Sequence, residues 1–213
     1  MPTQHRAIQS RQALIRSAAE TFLEKGVPAS GMVEISRRAR LSKGALYFHF
    51  TSKDDLTLAV RDAALGTLRG VEDAFTRSPQ PLATAVQDFA VALFDQVESD
   101  AVLRAGLRLR PETAPGLDIY ALEQRWYALF LDKAMTCEPG ERLGPDGQQR
   151  PDSEPRRTAQ LLTSVVVGLL HLGGEDRSWW DKEAVVGLWA LLSGMSGREA
   201  AAGIPAPAQI PAG

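Results

Sequence analysis

The residues best suited to chemistry with another molecule lie together in one short segment, Ser42–Phe50, with the sequence SKGALYFHF. Leu46 and Phe50, four residues apart, fall on the one helical face that must be buried. Ser42, Lys43, Tyr47, Phe48 and His49 are left outward. Lys43 carries a cation able to donate to a guanine edge or a phosphate. Gly44 has no side chain, so the start of this helix can approach a partner closely, and its backbone amides favour anions. Tyr47, His49 and the nearby Lys53 are donors of the kind that grip phosphate oxygens and so set position without reading sequence. These groups suit a nucleic-acid surface. Residues alone also allow a small helical corner with solvated polar side chains.

Enzymatic readings find no support at comparable spacing. The three histidines, His5, His49 and His171, sit on separate segments, and no His-Glu-x-x-His or Cys/His metal pattern occurs. Phosphate-binding glycine loops are missing, and Gly194-Met195-Ser196-Gly197 follows a helical pattern rather than the strand that a nucleophile elbow requires. The expectation is therefore no catalytic residue, no metal and no cofactor. A single cysteine, Cys137, cannot form an internal disulfide and fits a reducing compartment. The longest apolar run, Val165–Leu172, is too short to span a membrane, and no signal-peptide core precedes the first helix. A cytoplasmic protein without membrane contact is expected.

Charge supports the partition. The 213 residues sum to −2, a value that argues against nucleic acid when taken as an average. Residues 1–50 carry eight basic side chains against three acids, Glu20, Glu24 and Glu34, leaving +5 there and −7 on the remainder. Such asymmetry points to two parts with different partners, one of them polyanionic.

The elements that must position these residues read as helices throughout, so the fold class is all-α, with about nine helices. Ile15, Ala18, Ala19, Phe22 and Leu23 make one face of a first helix ending before Gly26. Met32, Ile35 and Ala39 mark a short second helix. Ser42 caps the third, and Ser52 caps a long fourth with a stripe Leu56, Val60, Ala63, Thr67, Val71 and Phe75, stopped by Pro79. Further helices are expected from Leu82 to Val97, over Ala101–Arg110, Asp118–Met135, Arg156–Leu172 and Asp181–Ser193, the last two separated by Gly173 and Gly174. Residues 138–155 read as a mobile loop and 197–213 as a disordered tail. On the sixth helix Arg104, Arg108 and Arg110 recur as a solvated or ion-paired face. His171, Trp179, Trp180 and Trp189 read as packing or interface residues.

The second and third helices, joined by a turn at Leu41–Ser42, have the dimensions of a helix-turn-helix. LSKGALYFHFTSKDDL closely resembles the recognition region of the tetracycline-repressor (TetR) family, with FLEKG and the helix around Glu34-Ile35-Ser36 at that family's spacing. The resemblance covers about residues 10–60. It implies an N-terminal helix-turn-helix head (1–51) binding double-stranded operator DNA, through Ser42, Lys43, Gly44, Tyr47, Phe48, His49 and Lys53. It further implies a ligand-binding and dimerisation body (52–196), with the last two helices forming a homodimer interface. Two positions depart from the family pattern: Gly31 stands where a Thr usually caps the second helix, and Arg40 stands where the turn usually has Gly. A left-handed Arg40 costs about 1–2 kcal/mol.

VLRAGLRLRPE (102–112), the helix of Trp126 and SVVVG (164–168) resemble the γ-butyrolactone receptor branch of that family. This resemblance implies a small lactone, butenolide or furan effector lying against Trp126, with Thr163 or else Ser164 as the hydroxyl partner. An apolar slot for it is expected from Phe89, Leu93, Leu107, Trp126, Phe130 and Val167. The same residues equally suit a filled core. Ala63 and Ala64 stand where relatives can place a polar ligand contact, which leaves a ligand-insensitive regulator as the first alternative and an all-α enzyme acting on a small lactone as the second.

Overall fold

The computed structural model describes residues 2–109, 119–136 and 154–196. Among them the chain forms nine α-helices and no strand: α1 (Pro2–Ala29), α2 (Met32–Arg38), α3 (Lys43–His49), α4 (Lys53–Arg77), α5 (Leu82–Ser99), α6 (Ala101–Leu107), α7 (Ile119–Thr136), α8 (Glu154–Glu175) and α9 (Lys182–Ser196). A short 3-10 turn, Arg177–Trp180, joins the last two. The helical reading of the sequence therefore holds, and its expected loop and tail fall almost wholly outside the described residues.

Local chemistry accounts for most of the boundaries. Gly26, at φ 75° and ψ 160°, breaks α1 where the first helix is expected to end, and only one further turn follows, through Ala29. The Ser42 and Ser52 hydroxyls accept from the amides of Ala45 (3.1 Å) and Asp55 (3.0 Å), satisfying orphan donors at the starts of α3 and α4. Asp100 does the same for α6, accepting from Val102 at 2.8 Å. Gly31 caps α2 through its backbone alone.

One buried cluster runs through the molecule, from Leu14, Ala18, Ile35 and Leu46 to Phe94, Phe130, Val166 and Trp189. The fourth helix contributes Leu56, Val60, Ala64, Leu68, Val71 and Phe75. Mid-helix, the stripe is one residue out of step with the sequence reading, because Ala64 and Leu68 are buried while Ala63 and Thr67 are only half-covered. A helix packed on both α5 and α6 must bury more than one ridge, and a single i, i+4 row undercounts it.

Gly173 and Gly174 do not separate two helices. Helix α8 continues through both to Glu175, and Gly173 gives the Trp180 indole a flat backbone to pack on. A Cβ at Gly173 would lie 1.9 Å from Trp180 Nε1, whose N–H donates to the Leu169 carbonyl at 3.2 Å. The ring is therefore pinned and cannot step aside. Gly173→Ala is expected to destabilise the protein by about 1–3 kcal/mol through overpacking, read as a lowered urea midpoint with an unchanged m-value.

Candidate nucleic-acid interface and effector cavity

Helix α3 is held from three sides. Leu46 and Phe50 are buried beneath it. The turn before it is closed by Arg40 at φ 56°, the one non-glycine residue with positive φ among the described residues, so the left-handed conformation anticipated there is present. Behind it, Lys53 donates from Nζ to the Pro28 carbonyl at 2.9 Å, tying the start of α4 to the end of α1. That contact gives Lys53 a fastening role within the head. Sequence spacing offers no signal for it, since the partner is a backbone carbonyl 25 positions away.

What α3 presents outward is Ser42, Lys43, Gly44, Tyr47 and Phe48, with His49 half-buried at the edge. Phe48 is 80 % exposed and Tyr47 45 %. Burial does not explain a ring as open as that of Phe48. The Lys43 ammonium lies 5.7 Å from the Tyr47 ring centroid, and His49 packs edge-on against Phe48 at 5.1 Å. Cation, phenol, phenyl and imidazole thus form one contiguous strip.

The acids of the head are all spent internally. Arg38 pairs with Glu20 at 2.9 Å and with Glu24, and Lys25 pairs with Glu34. Arg6, Arg11, Arg16, Arg37, Arg40 and Lys43 form no ion pair among the described residues, and all are exposed. The surplus positive charge of the first fifty residues therefore faces outward. Glu20 and Glu24, one turn apart on α1, were the legible half of this network; Arg38 could be matched to them only once α2 had folded back.

The residues expected to hold an effector are brought together, but as a packed core. Trp126 and Phe130 are fully buried, and Phe89 is 3 % exposed. Their rings meet edge to face, Phe89 lying 5.4 Å from both Trp126 and Phe130, and Phe75 closes the cluster at 5.2 Å from Phe130. The Trp126 indole N–H donates to Glu72 Oε1 at 2.9 Å, and the same oxygen accepts from Arg125 Nε at 2.8 Å. Sequence reading missed Glu72, a carboxylate on the flank of the long apolar helix. Leu93 is buried, Val167 half-buried and Ser164 exposed. Thr163 is buried with its hydroxyl already donating to the Ala159 carbonyl at 2.7 Å.

Open space lies one layer away. A cavity of about 220 Å³ is bounded by Val97, Leu107, Leu122, Leu170 and Trp180, with Arg104, Arg108 and His171 supplying its polar groups. Of the expected ligand residues only Leu107 reaches it. Arg104 is half-buried here without an ion pair among the described residues, unlike the solvated or ion-paired face expected of it, while Arg108 is exposed as that expectation has it; Arg110 lies outside the described residues. His171 is exposed at the rim, so of the core or dimer-interface packing expected of it the single protomer excludes the core role. Trp180 and Trp189 are buried as expected, the latter donating to the Ala83 carbonyl at 2.9 Å.

Comparison with known proteins agrees with the head geometry. Residues 14–60 match the family described as bacterial regulatory proteins, tetR family. The chain is 36 % identical over 179 residues to the A-factor receptor protein of Streptomyces griseus, covering 83 % of this chain and 59 % of that receptor. It thus spans about three-fifths of that relative's length. A solved gamma-butyrolactone receptor, described as an ArpA-like protein, superposes with a TM-score of 0.62 at 25 % identity, over 88 % of this chain and 87 % of that one. CprB of Streptomyces coelicolor, solved with its biological operator sequence, superposes at 0.64 over 88 % of each chain with 23 % identity, a likeness of fold.

Two expectations follow for the head. Arg40→Gly relieves a left-handed non-glycine residue and is expected to raise stability by up to about 1 kcal/mol in urea unfolding, the added freedom of the unfolded chain offsetting the rest. The hydrogen bond from Arg38 holds the Glu24 carboxyl below its ordinary 4.5. The stabilisation it carries is fully present above pH 4.5 and fades as pH falls through the lowered folded-state value. Wild type and Arg38→Gln should therefore differ in unfolding midpoint at pH 7 and converge in acid.

Proposed function

We propose that this chain, whose residues 14–60 match the tetR family of bacterial regulatory proteins, is a homodimeric repressor that a small signalling molecule releases from a near-palindromic operator. That it is a transcriptional regulator follows from the family and from its regulatory relatives. The observation carrying the DNA reading is the exposed strip Lys43–Tyr47–Phe48–His49 on a helix of a head whose own three acids, Glu20, Glu24 and Glu34, are all ion-paired. In this reading residues 1–51 form the head, and α3 of each protomer enters a major groove, with Gly44 allowing close approach. Ser42, Lys43, Tyr47 and His49 grip phosphates or base edges, and Phe48 contacts sugar or thymine methyl groups. Two such helices in one dimer read half-sites about 34 Å apart. Lys53 acts on DNA through the clamp that sets the pose of α3.

Dimerisation is assigned to α8 and α9. Leu161 and Leu172 on the former, Val186 on the latter and Trp179 between them are large apolar residues left exposed in the single protomer. The body, residues 52–196, carries the effector, of the size class of a butyrolactone, butenolide or furan. Likeness to the A-factor receptor and to a solved gamma-butyrolactone receptor supports that class and a role in controlling secondary-metabolite genes. Metals, cofactors and catalysis have no part in the scheme.

Helix α6 is the element able to connect the two events. One side of it lines the cavity through Arg104, Leu107 and Arg108, while the helix also packs on α1 of the head. Its N-terminal cap, Asp100, accepts from Thr67 of α4 at 3.3 Å. A molecule that fits the cavity better after a shift of α6 moves α1 and changes the spacing of the two recognition helices. DNA and effector then weaken one another by the same factor.

The test is an electrophoretic shift on the gene's own upstream region, titrated with extracts of the producing culture. Wild type should retard this DNA, and an extract fraction should release it. Tyr47→Ala with His49→Ala should bind at least about tenfold more weakly at 0.15 M salt, with unfolding unchanged, since both side chains lie outside the core. Lys43→Gln should lower the slope of log affinity against log salt by about one if Lys43 holds a phosphate. Wild-type affinity in the double variant would refute the DNA assignment.

A further inference from the structure

The cavity between α5, α6, α7 and α8 combines three features that ordinary packing does not require. It is roomy, at about 220 Å³, or about seven water volumes at roughly 30 Å³ each. Its apolar lining is Val97, Leu107, Leu122, Leu170 and Trp180. Its polar side chains are Arg104, Arg108 and His171, with no carboxylate among them, and the Gly174 backbone completes the lining.

The guanidiniums are short of anions. Arg104 Nη1 donates to the carbonyls of Val97 (2.8 Å) and Glu98 at the end of α5, while its Nε is buried and without a hydrogen-bond partner. Arg108 Nη2 makes a single long contact, 3.3 Å, to the Gly174 carbonyl. Arg177 lies near enough to act on Arg104 as a third positive charge. Burial first, then Arg177 and Arg108, push the Arg104 guanidinium down from its ordinary value, although Asp100 and Glu98 oppose them. The Asp100 carboxylate is committed to Val102 and Thr67, and no carboxylate lies within ion-pair distance of Arg104, Arg108 or Arg177 among the described residues. A buried donor without an acceptor costs about 1–3 kcal/mol, more for a charged group, so the site is poised for an anion.

We propose that this cavity is the effector site and that its ligand is a small amphiphilic carboxylate, its acid group held by Arg104 and Arg108 with His171 at the rim and its apolar part against Leu107, Leu122, Leu170 and Trp180. This rests on the ligand-responsive reading above and adds the charge of the effector. The volume suits a body of roughly eight to ten non-hydrogen atoms. A carboxylate fits better than a bare inorganic anion because the cavity wall is largely apolar, and better than a neutral lactone because only an anion neutralises two unpaired guanidiniums. Phosphate diesters of DNA are too large to enter.

The experiment uses the full-length, DNA-free protein and three probes of like size: octanoate, γ-octalactone and octylamine. Calorimetric titration should show octanoate binding at least about tenfold tighter than the lactone, with no measurable binding of the amine. Arg108→Gln should weaken octanoate about tenfold or more and leave the lactone unchanged; its one side-chain hydrogen bond among the described residues is the long one to Gly174 and it is exposed, so an unchanged urea midpoint is expected. Leu107→Trp, which fills the cavity, should abolish binding of both. Equal binding of octanoate and lactone, no octanoate binding up to about 10 mM, or an unchanged octanoate affinity in Arg108→Gln would each overturn the proposal. Operator release is measured separately. If culture extract releases DNA from Arg108→Gln as readily as from wild type, the charged site is refuted while ligand-controlled repression stands. If octanoate binds as described yet neither it nor any extract fraction releases DNA, the site stands and ligand-controlled repression falls.

Discussion

Helix α4 is the constraint on which the rest of the structure depends. At 25 residues and 1.5 Å per residue it runs about 37 Å without interruption, from the recognition helix to the far end of the body. Its first turn is fastened to the head, by the Ser52 cap and by Lys53 on the Pro28 carbonyl. Its last turns hold α7, through Glu72 on Arg125 and Trp126 and through Phe75 in the aromatic cluster. A helix packed along its whole length resists bending, so the pose of α3 is referenced to the packing around Trp126.

The short α6 supplies what α4 lacks. With only seven residues, it has one side against α1 and α4 and another forming a cavity wall. Packed interfaces switch between discrete arrangements rather than deforming smoothly, so in the proposed scheme a bound molecule would act by favouring one register of α6 over another. A rigid spine beside a small movable element is an economical way to let a ligand alter the distance between two DNA-reading helices.

Charge is organised by the same geometry. The three acids of the head are satisfied by Arg38 and Lys25, which removes them from the outward face and strengthens its field towards phosphate. The arginines near the cavity show the opposite arrangement: they approach one another with no carboxylate between them. Internal neutralisation leaves the outward face of the head cationic, and the half-buried Arg104 and the exposed Arg108 leave the cavity wall with cationic groups not ion-paired among the described residues.

Much of this was legible in the sequence because it depends on neighbours along the chain. The helical class, the Ser42 and Ser52 caps, the break at Gly26 and the outward strip of α3 all follow from spacing of four residues or fewer, where backbone geometry leaves few alternatives, whereas the left-handed Arg40 was signalled only by the family resemblance. The TetR resemblance over residues 10–60 was legible for the same reason. Tertiary structure decided what distant segments do to each other. Only packing showed that Trp126, Phe89 and Phe130 fill one another's space, that Thr163 is satisfied by its own helix, that α8 runs through Gly173 to receive Trp180, and that Arg104 and Arg108 border an open cavity without a counter-ion among the described residues. Periodicity records which side of a helix is apolar; whether that side meets a ring, a void or a charge depends on residues dozens to more than a hundred positions away.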